Sequence, residues 1–328
     1  MLPIRLRSAA AVLAAAFSVT AAYSAHGQTN YPERPIRLVV AFAPGGIADI
    51  ATRAVADRLA ESIGTSVVVE NRGGGGGNIA AAAVAKAEPD GYTVLVSTTS
   101  VAVNPLLSDK TGYDLSKDLV PVIQIASAPN IIVATPGIGA RTLAEATAKA
   151  KGAKFSFGSP GNGSTSHLTG TYLFNTLSGA DVTHIGYRGG APAVSDTVGG
   201  QTQFAVVPVP VAAGLIQGGQ LVPLAVTSAT RLKDWPNVPT VAESGAVFAG
   251  YVDETWVGVF LPAGTPPAIV AKLNEHFNKV LAEPATEARL RTASLEKQGG
   301  SAASFAQYLA AETAKWQRVV RETGVKVD

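Results

Sequence analysis

Phe42-Ala-Pro-Gly-Gly-Ile-Ala-Asp-Ile50 follows the apolar run Ile36 to Val40 and leads into Ile47, Ile50, Ala51, Ala54, Val55, Leu59 and Ile63, whose spacing marks one face of a helix. The stretch therefore reads as a strand-to-helix turn. Pro44 removes a backbone donor and fixes φ, while Gly45 and Gly46 let main chain approach a bound group that any Cβ would block. The first amides of the helix point outward unpaired at the positive end of its dipole, which makes an anion site. Two readings stand open from these residues alone: a tight turn without a ligand, or half of a binding site. Asp49 is equally open, since a first-turn acid is favoured by the dipole itself.

Outward from this turn the pattern repeats. Strand Ser66 to Glu70 leads through Asn71-Arg72 and five consecutive glycines to Asn78, which opens an alanine-rich helix, and Pro89-Asp90-Gly91 turns the chain into strand Tyr92 to Ser97. Strand, helix, strand, helix, strand with short connections implies a parallel sheet with right-handed crossovers. Its carboxyl-end loops, Phe42 to Asp49, Arg72 to Asn78 and Ser97 to Val101, should then meet where open α/β sheets bind ligands, bringing Asn78, Ser97 and Thr98 to the site.

A second set follows Pro129. Strand Ile131 to Ala134, helix Leu143 to Lys151 and strand Phe155 to Gly158 run into Ser159-Pro-Gly-Asn-Gly-Ser-Thr-Ser-His167, another glycine- and hydroxyl-rich loop at a strand-to-helix turn. Strands Thr183 to Tyr187, Phe204 to Val209 and Val222 to Thr227 complete that set. Thr255 to Leu261 reads as a buried strand, and Pro266 to Leu281 and Ser301 to Glu322 as amphipathic helices. The α/β class follows, with residues 28–126 plus 229–328 as a discontinuous first domain and 127–228 as an inserted second. Two crossings, near Ile125 to Asn130 and Thr227 to Arg231, make a hinge.

The length of 328 residues suits two domains, and 47% hydrophobic against 15% charged residues describes an ordered globule. No cysteine occurs, which excludes disulfides, thiol catalysis and a lipid-anchored lipoprotein. Arg5 and Arg7 precede the apolar stretch Ser8 to Ala22, and Ala25-His26-Gly27 supplies small residues, so residues 1–27 read as a signal peptide cleaved after about Gly27. An uncleaved anchor is the alternative. Of 26 basic residues, cleavage removes those two arginines, leaving 24 against 24 acidic ones. A neutral chain without basic runs argues against nucleic acid as a partner.

Catalytic patterns are sparse. The sequence contains no G-x-S-x-G elbow, HExxH or GxxxxGK[ST] motif, and the glycine run at 73–77 follows the second strand rather than the first, unlike a dinucleotide loop. His167, His184 and His276 lack zinc-ligand spacing, so neither metal nor cofactor is expected. Ser164 or Ser166 with His167 would suit a hydrolase, yet no acid stands at a suggestive spacing. His167 could equally tie or cap its loop. Two neutral, donor-rich loops remain, and such loops can hold a carboxylate by charge-assisted hydrogen bonds. Arg72 and Arg188 are the nearest cations, the first read as a brace of the glycine run and the second as solvated. Phe42 is the first candidate for stacking on a ligand.

Tyr31-Pro-Glu-Arg-Pro-Ile-Arg-Leu-Val-Val-Ala-Phe-Ala-Pro-Gly-Gly, Val68-Val-Glu-Asn-Arg-Gly-Gly-Gly-Gly-Gly-Asn-Ile, Pro89-Asp-Gly-Tyr-Thr, Gly158-Ser-Pro-Gly-Asn-Gly-Ser-Thr-Ser-His-Leu, Pro239-Thr-Val-Ala-Glu and Pro262-Ala-Gly-Thr-Pro together resemble the Bug family, periplasmic solute receptors of tripartite tricarboxylate transporters. The resemblance implies a two-domain periplasmic-binding-protein fold of type II kind, each domain a mainly parallel sheet flanked by helices, closing on a small organic carboxylate in the cleft with the help of ordered water. It implies a monomer, a periplasmic location and delivery to membrane permease subunits; reporting to a sensor kinase is the alternative role. Its ligand loops fall on Ala43, Gly45, Gly46, Ala48 and Asp49, and on Ser159, Asn162, Gly163, Ser164, Thr165 and His167. The chain departs from the family at Ala48, where a hydroxyl is common. It departs again at Val207-Pro208 and Val211, where many members carry an Asp-Asn pair and a Ser, which disfavours an amino-acid ligand and favours a more apolar or aromatic acid.

Overall fold

The computed structural model describes residues 31–326. The predicted signal peptide lies outside them. From Arg34 onward the chain forms one compact unit. It opens with β1 (Ile36–Val40), whose residues are buried on both faces except Arg37, as a strand covered by helices on either side requires. The quoted turn then enters α1 (Ile47–Ile63). This helix buries Ile47, Ala51, Val55, Leu59 and Ile63 and ends on Gly64 in the left-handed conformation, whose N–H bonds Ala60 O.

Next come β2 (Val67–Asn71), the glycine run, α2 (Asn78–Ala85), β3 (Thr93–Thr98), α3 (Ser100–Leu107) and the single turn α4 (Leu115–Asp118). Strands β2 and β3 flank β1 in parallel, as the sequence pattern implies. Strand β4 (Leu119–Ala134) then runs for 16 residues, and only its last four are legible as a strand in the sequence. α5 (Leu143–Ala150), β5 (Phe155–Ser159), α6 (Thr165–Thr171), β6 (Val182–Gly186), α7 (Gly190–Val198), β7 (Phe204–Pro208), α8 (Val209–Gln217) and β8 (Val222–Val226) follow. The chain closes with β9 (Glu254–Pro262), α9 (Pro267–Leu281), α10 (Pro284–Thr292), the two-residue β10 (Glu296–Lys297) and α11 (Ala302–Thr323).

The strand order is β2-β1-β3-β9-β4-β7-β5-β6, with β8 and β10 also on β4. The first two-thirds of β4 pairs antiparallel with β9, from Leu119 opposite Pro262 to Pro129 opposite Glu254. From Asn130 onward its partners are β7 and β8, again antiparallel. The sheets are therefore mixed rather than mainly parallel: the βαβ units keep their parallel pairs, and the long strand joining them imposes antiparallel neighbours. We call the part built on β1, β2, β3 and β9 the first lobe and the part built on β5, β6, β7 and β8 the second.

Side chains alternate along the second lobe's strands. Phe204 and Val206 enter one core with Phe157, Phe174 and Leu224, while Ala205 and Val207 enter another with Ile131 and Val226. α9 packs on α1, and α11 packs on α3, where Trp316 joins Val103, Leu107 and Leu168 of α6 in one cluster. The two tail helices thus cover the first lobe, and α11 also reaches the second.

Candidate functional site

The first quoted loop meets the segment that follows β6 in the second lobe. Ala43 N–H donates to Arg188 O at 3.2 Å. The glycine run lies against the second lobe's loop so closely that a Cβ on Gly76 would sit 2.0 Å from Asn162 O, and one on Gly73 2.9 Å from Arg188 O. Gly76 also has φ +62°. Glycine is required here by close approach and by conformation together, a role for the run that motif comparison could not supply.

Behind this seam lies a small cavity lined by Phe42, Gly46, Ile47, Thr98, Pro160, Ser164, Thr165, Ser166, Gly190, Pro208, Val211 and Thr255. A water-sized sphere can centre in about 20 Å³ of it, room for one or two waters. On the first lobe's side, the amides of Ile47, Ala48 and Asp49 precede the first helical hydrogen bond of α1, which Ile50 N–H makes to Gly46 O. Gly46 offers them no side-chain cap, so the positive end of a 17-residue helix adjoins the cavity. α7 likewise starts beside the cavity at Gly190 without a side-chain cap.

The loop leading into α1 is braced from behind. Asp49 Oδ2 accepts Gly45 N–H at 2.9 Å, and its Oδ1 accepts Arg53 Nε and Asn71 Nδ2, both at 2.9 Å. Asp49 and the Gly45 and Ala43 amides are thus engaged inside the protein. Gly46 has φ −80°, and a Cβ there would make ordinary contacts with Ala43 and Phe42.

The second loop is held by imidazoles. Gly163 N–H donates to His167 Nδ1 at 3.1 Å, His167 N–H donates to Ser164 Oγ at 3.1 Å, and Ser159 Oγ lies 2.7 Å from His184 Nε2. The two rings stack with centroids 3.8 Å apart. Burial lowers His167 to about 4 and His184, with the added repulsion of its neighbour, to about 3. Both are neutral at physiological pH. His167 ties and caps its loop, and Ser166 Oγ donates instead to Asn130 Oδ1 at 2.8 Å.

Phe42, Gly46, Thr98, Ser164, Thr165 and Pro208 of the expected residues line the cavity, and Ala43, Gly45, Ala48, Asp49, Ser159, Gly163 and His167 lie outside its lining. Asn78 accepts Asn104 Nδ2 at 2.6 Å and faces, with Asn162, a separate groove beside α3. Ser97 is buried with no partner for its hydroxyl. The Arg188 side chain is exposed, and Arg72 pairs with Glu70 at 2.7 Å. Val207 points into the core against Ile131, leaving Pro208 and Val211 as the wall.

Sequence reasoning missed Ile47, Pro160, Gly190 and above all Thr255, which looks like an ordinary strand residue. It also missed the buried group behind them. Asp253 Oδ2 accepts Asn130 Nδ2 at 2.9 Å and Thr169 Oγ1 at 2.7 Å, while its Oδ1 has no partner. Burial raises its pKa to about 6 against the lowering pull of Lys315 and of these two hydrogen bonds.

Residues 51–325 match the tripartite tricarboxylate transporter family receptor. The chain belongs to this receptor family. It is 35% identical to Protein BugT of Bordetella pertussis over 91% of this chain and 92% of that protein. Two Rhodopseudomonas palustris receptors share its fold: Rpa4515, solved with adipate, has 35% identity and a TM-score of 0.86 over 90% of this chain and 99% of that one. MatC, solved with malate, has 28% identity and a TM-score of 0.82 over 88% and 100%. The family's fold is the two-domain periplasmic-binding-protein α/β fold, here with mixed sheets. Among the described residues no helix is long and apolar enough to cross a membrane.

Proposed function

We propose that this receptor captures a small organic carboxylate in the cleft between its lobes and delivers it to the membrane permease subunits of a tripartite transporter, after export to the periplasm and cleavage near Gly27. The observation that carries the reading is the uncapped first turn of α1 beside an enclosed cavity whose opposite wall is made of neutral hydroxyls. Such a site holds a carboxylate by backbone amides and solvent rather than by a paired cation, which leaves it able to release. The adipate and malate held by the two R. palustris receptors support the same ligand class.

A four-carbon acid exceeds the space of one or two waters, so the lobes part to admit it. The division into 28–126 plus 229–328 and 127–228 puts the hinge where β4 changes partners and where Thr227 returns the chain toward the first lobe. Phe42, Gly46, Thr98, Ser164, Thr165 and Pro208 contact ligand in this reading, with Ile47, Gly190, Val211 and Thr255 added.

Thermal-shift and calorimetric titration with mono-, di- and tricarboxylic acids tests the proposal. A true ligand at a hundredfold excess over its Kd raises stability by about 2.7 kcal/mol. Gly46→Val should remove that response while leaving the unliganded melting temperature nearly unchanged. Stabilisation by amines or sugars, with none by carboxylates, would refute the ligand class.

A further inference from the structure

The floor of the cavity has a hydrogen-bond direction fixed from outside it. Asp253 Oδ2 accepts from two donors, Asn130 Nδ2 at 2.9 Å and Thr169 Oγ1 at 2.7 Å. Asn130 must therefore turn its NH2 toward Asp253 Oδ2, 2.9 Å away. That leaves Asn130 Oδ1, an acceptor, facing Ser166 Oγ at 2.8 Å and Thr255 Oγ1 at 3.2 Å. Each hydroxyl has one proton. Ser166 directs its proton to Asn130, and Thr255 directs its own to Asn130 or to Thr165 Oγ1 at 3.3 Å. Both hydroxyls line the cavity, so what they can offer a ligand is lone pairs.

We propose that Asp253, acting through Asn130, makes the Ser166–Thr255 floor an acceptor surface, so that the preferred ligand carries a hydroxyl donor in addition to the carboxylate held at the start of α1. The inference rests on the carboxylate reading and refines it to hydroxy acids. Opposite ends of the cavity then select opposite groups: amides without acceptors at one end, and at the other the Ser166 and Thr255 oxygens, whose protons are already committed. A ligand with a second ionised carboxylate on the floor would set lone pairs against lone pairs, whereas a hydroxyl supplies the missing proton. Asp253 touches no ligand in this scheme and acts as a positioning residue, its grip on Asn130 shared with Thr169 at 2.7 Å.

The experiment is a calorimetric comparison of 2- and 3-hydroxy acids of four to six carbons with their deoxy parents. In the natural protein at least one hydroxy acid should bind about five- to tenfold tighter than its parent. Ser166→Ala should bring the ratio toward one while parent acids still bind. Asp253→Asn can donate to Asn130 Oδ1, freeing Asn130 to turn over and the Ser166 proton to face the cavity, so the ratio should fall to one or below. Should Ser166→Ala fail to fold, Thr255→Val takes its place, and the ratio in the natural protein decides by itself. Hydroxy and parent acids within twofold of each other throughout would overturn the proposal, as would a preference undiminished in Ser166→Ala. Binding of neither set would instead sink the carboxylate reading, and this inference with it.

Discussion

The two loops that form the cleft solve one problem with different materials. In the first, Pro44, Gly45 and Gly46 bring bare main chain to the cavity, and an acid behind the loop, Asp49, holds it through three hydrogen bonds. In the second, Ser164, Thr165 and Ser166 face the cavity with hydroxyls, and the brace is a pair of stacked neutral imidazoles. A backbone donor survives every substitution except proline, whereas a hydroxyl can be lost or reoriented by any of many single changes. Under the proposed function, that difference would pair a fixed recognition of carboxylate with an adjustable recognition of the rest of the ligand.

The largest effect should come from driving the two loops apart. Gly76→Val places a Cβ within 2.0 Å of Asn162 O at a φ of +62°. Ligand affinity should fall by at least about a hundredfold, some 2.7 kcal/mol, with the far-ultraviolet dichroism of the fold retained; full affinity by calorimetry would mean that the seam plays no part in binding.

The second prediction concerns the imidazole brace. Both histidines have folded pKa values, about 4 and about 3, below the 6.5 of an unfolded chain. Their contribution to stability is complete above pH 6.5 and is lost as pH falls toward 4, because the unfolded chain takes up protons that the folded one refuses. Urea melts should show a loss of about 2.5 kcal/mol between pH 7 and pH 5.5 that is absent from His167→Gln/His184→Gln. Asp253 opposes this trend, since a raised carboxyl stabilises the fold below the unfolded value of 3.8 and loses that contribution as pH rises through about 6. Asp253→Asn should therefore steepen the acid loss. Parallel pH profiles for all three proteins would dismiss these assignments.

The smallest effect should attend the acid brace. Asp49→Ala removes the acceptor for Gly45 N–H, Arg53 and Asn71. With half-exposed Arg53 as one partner, the cost should be about 1–2 kcal/mol in denaturant unfolding, along with weaker ligand binding. A variant as stable as its parent would show that the first loop keeps its shape unaided.

Much of this organisation is legible in the sequence because it is local. A proline and two glycines between an apolar strand and a helix face specify α1 and its uncapped first turn, and the Gly/Ser/Thr run Ser159 to His167 specifies the strand-to-helix turn into α6. The first three-quarters of β4 were not legible. Pro121, Gln124 and Pro129 interrupt its alternation, and it is a strand because β9 lies beside it, with register shifts around Pro121 and Gln124. α3 was hidden by Pro105 within it. The cavity floor was hidden for a different reason: Asn130, Ser166, Asp253 and Thr255 come from four separate stretches, and no spacing in a linear chain announces that they share hydrogen bonds.

Strand β4 is bonded along its edges for its whole length, to β9 over the first lobe and to β7 and β8 over the second. The lobes are thus joined by a leaf spring rather than by a loose tether. Swinging one lobe away from the other bends this spring near Pro129 and Asn130, where the pairing partners change. If the lobes swing as proposed, a bent sheet would return the work put into it, and the residue at the bend would be the same Asn130 that the proposal sets against the cavity floor.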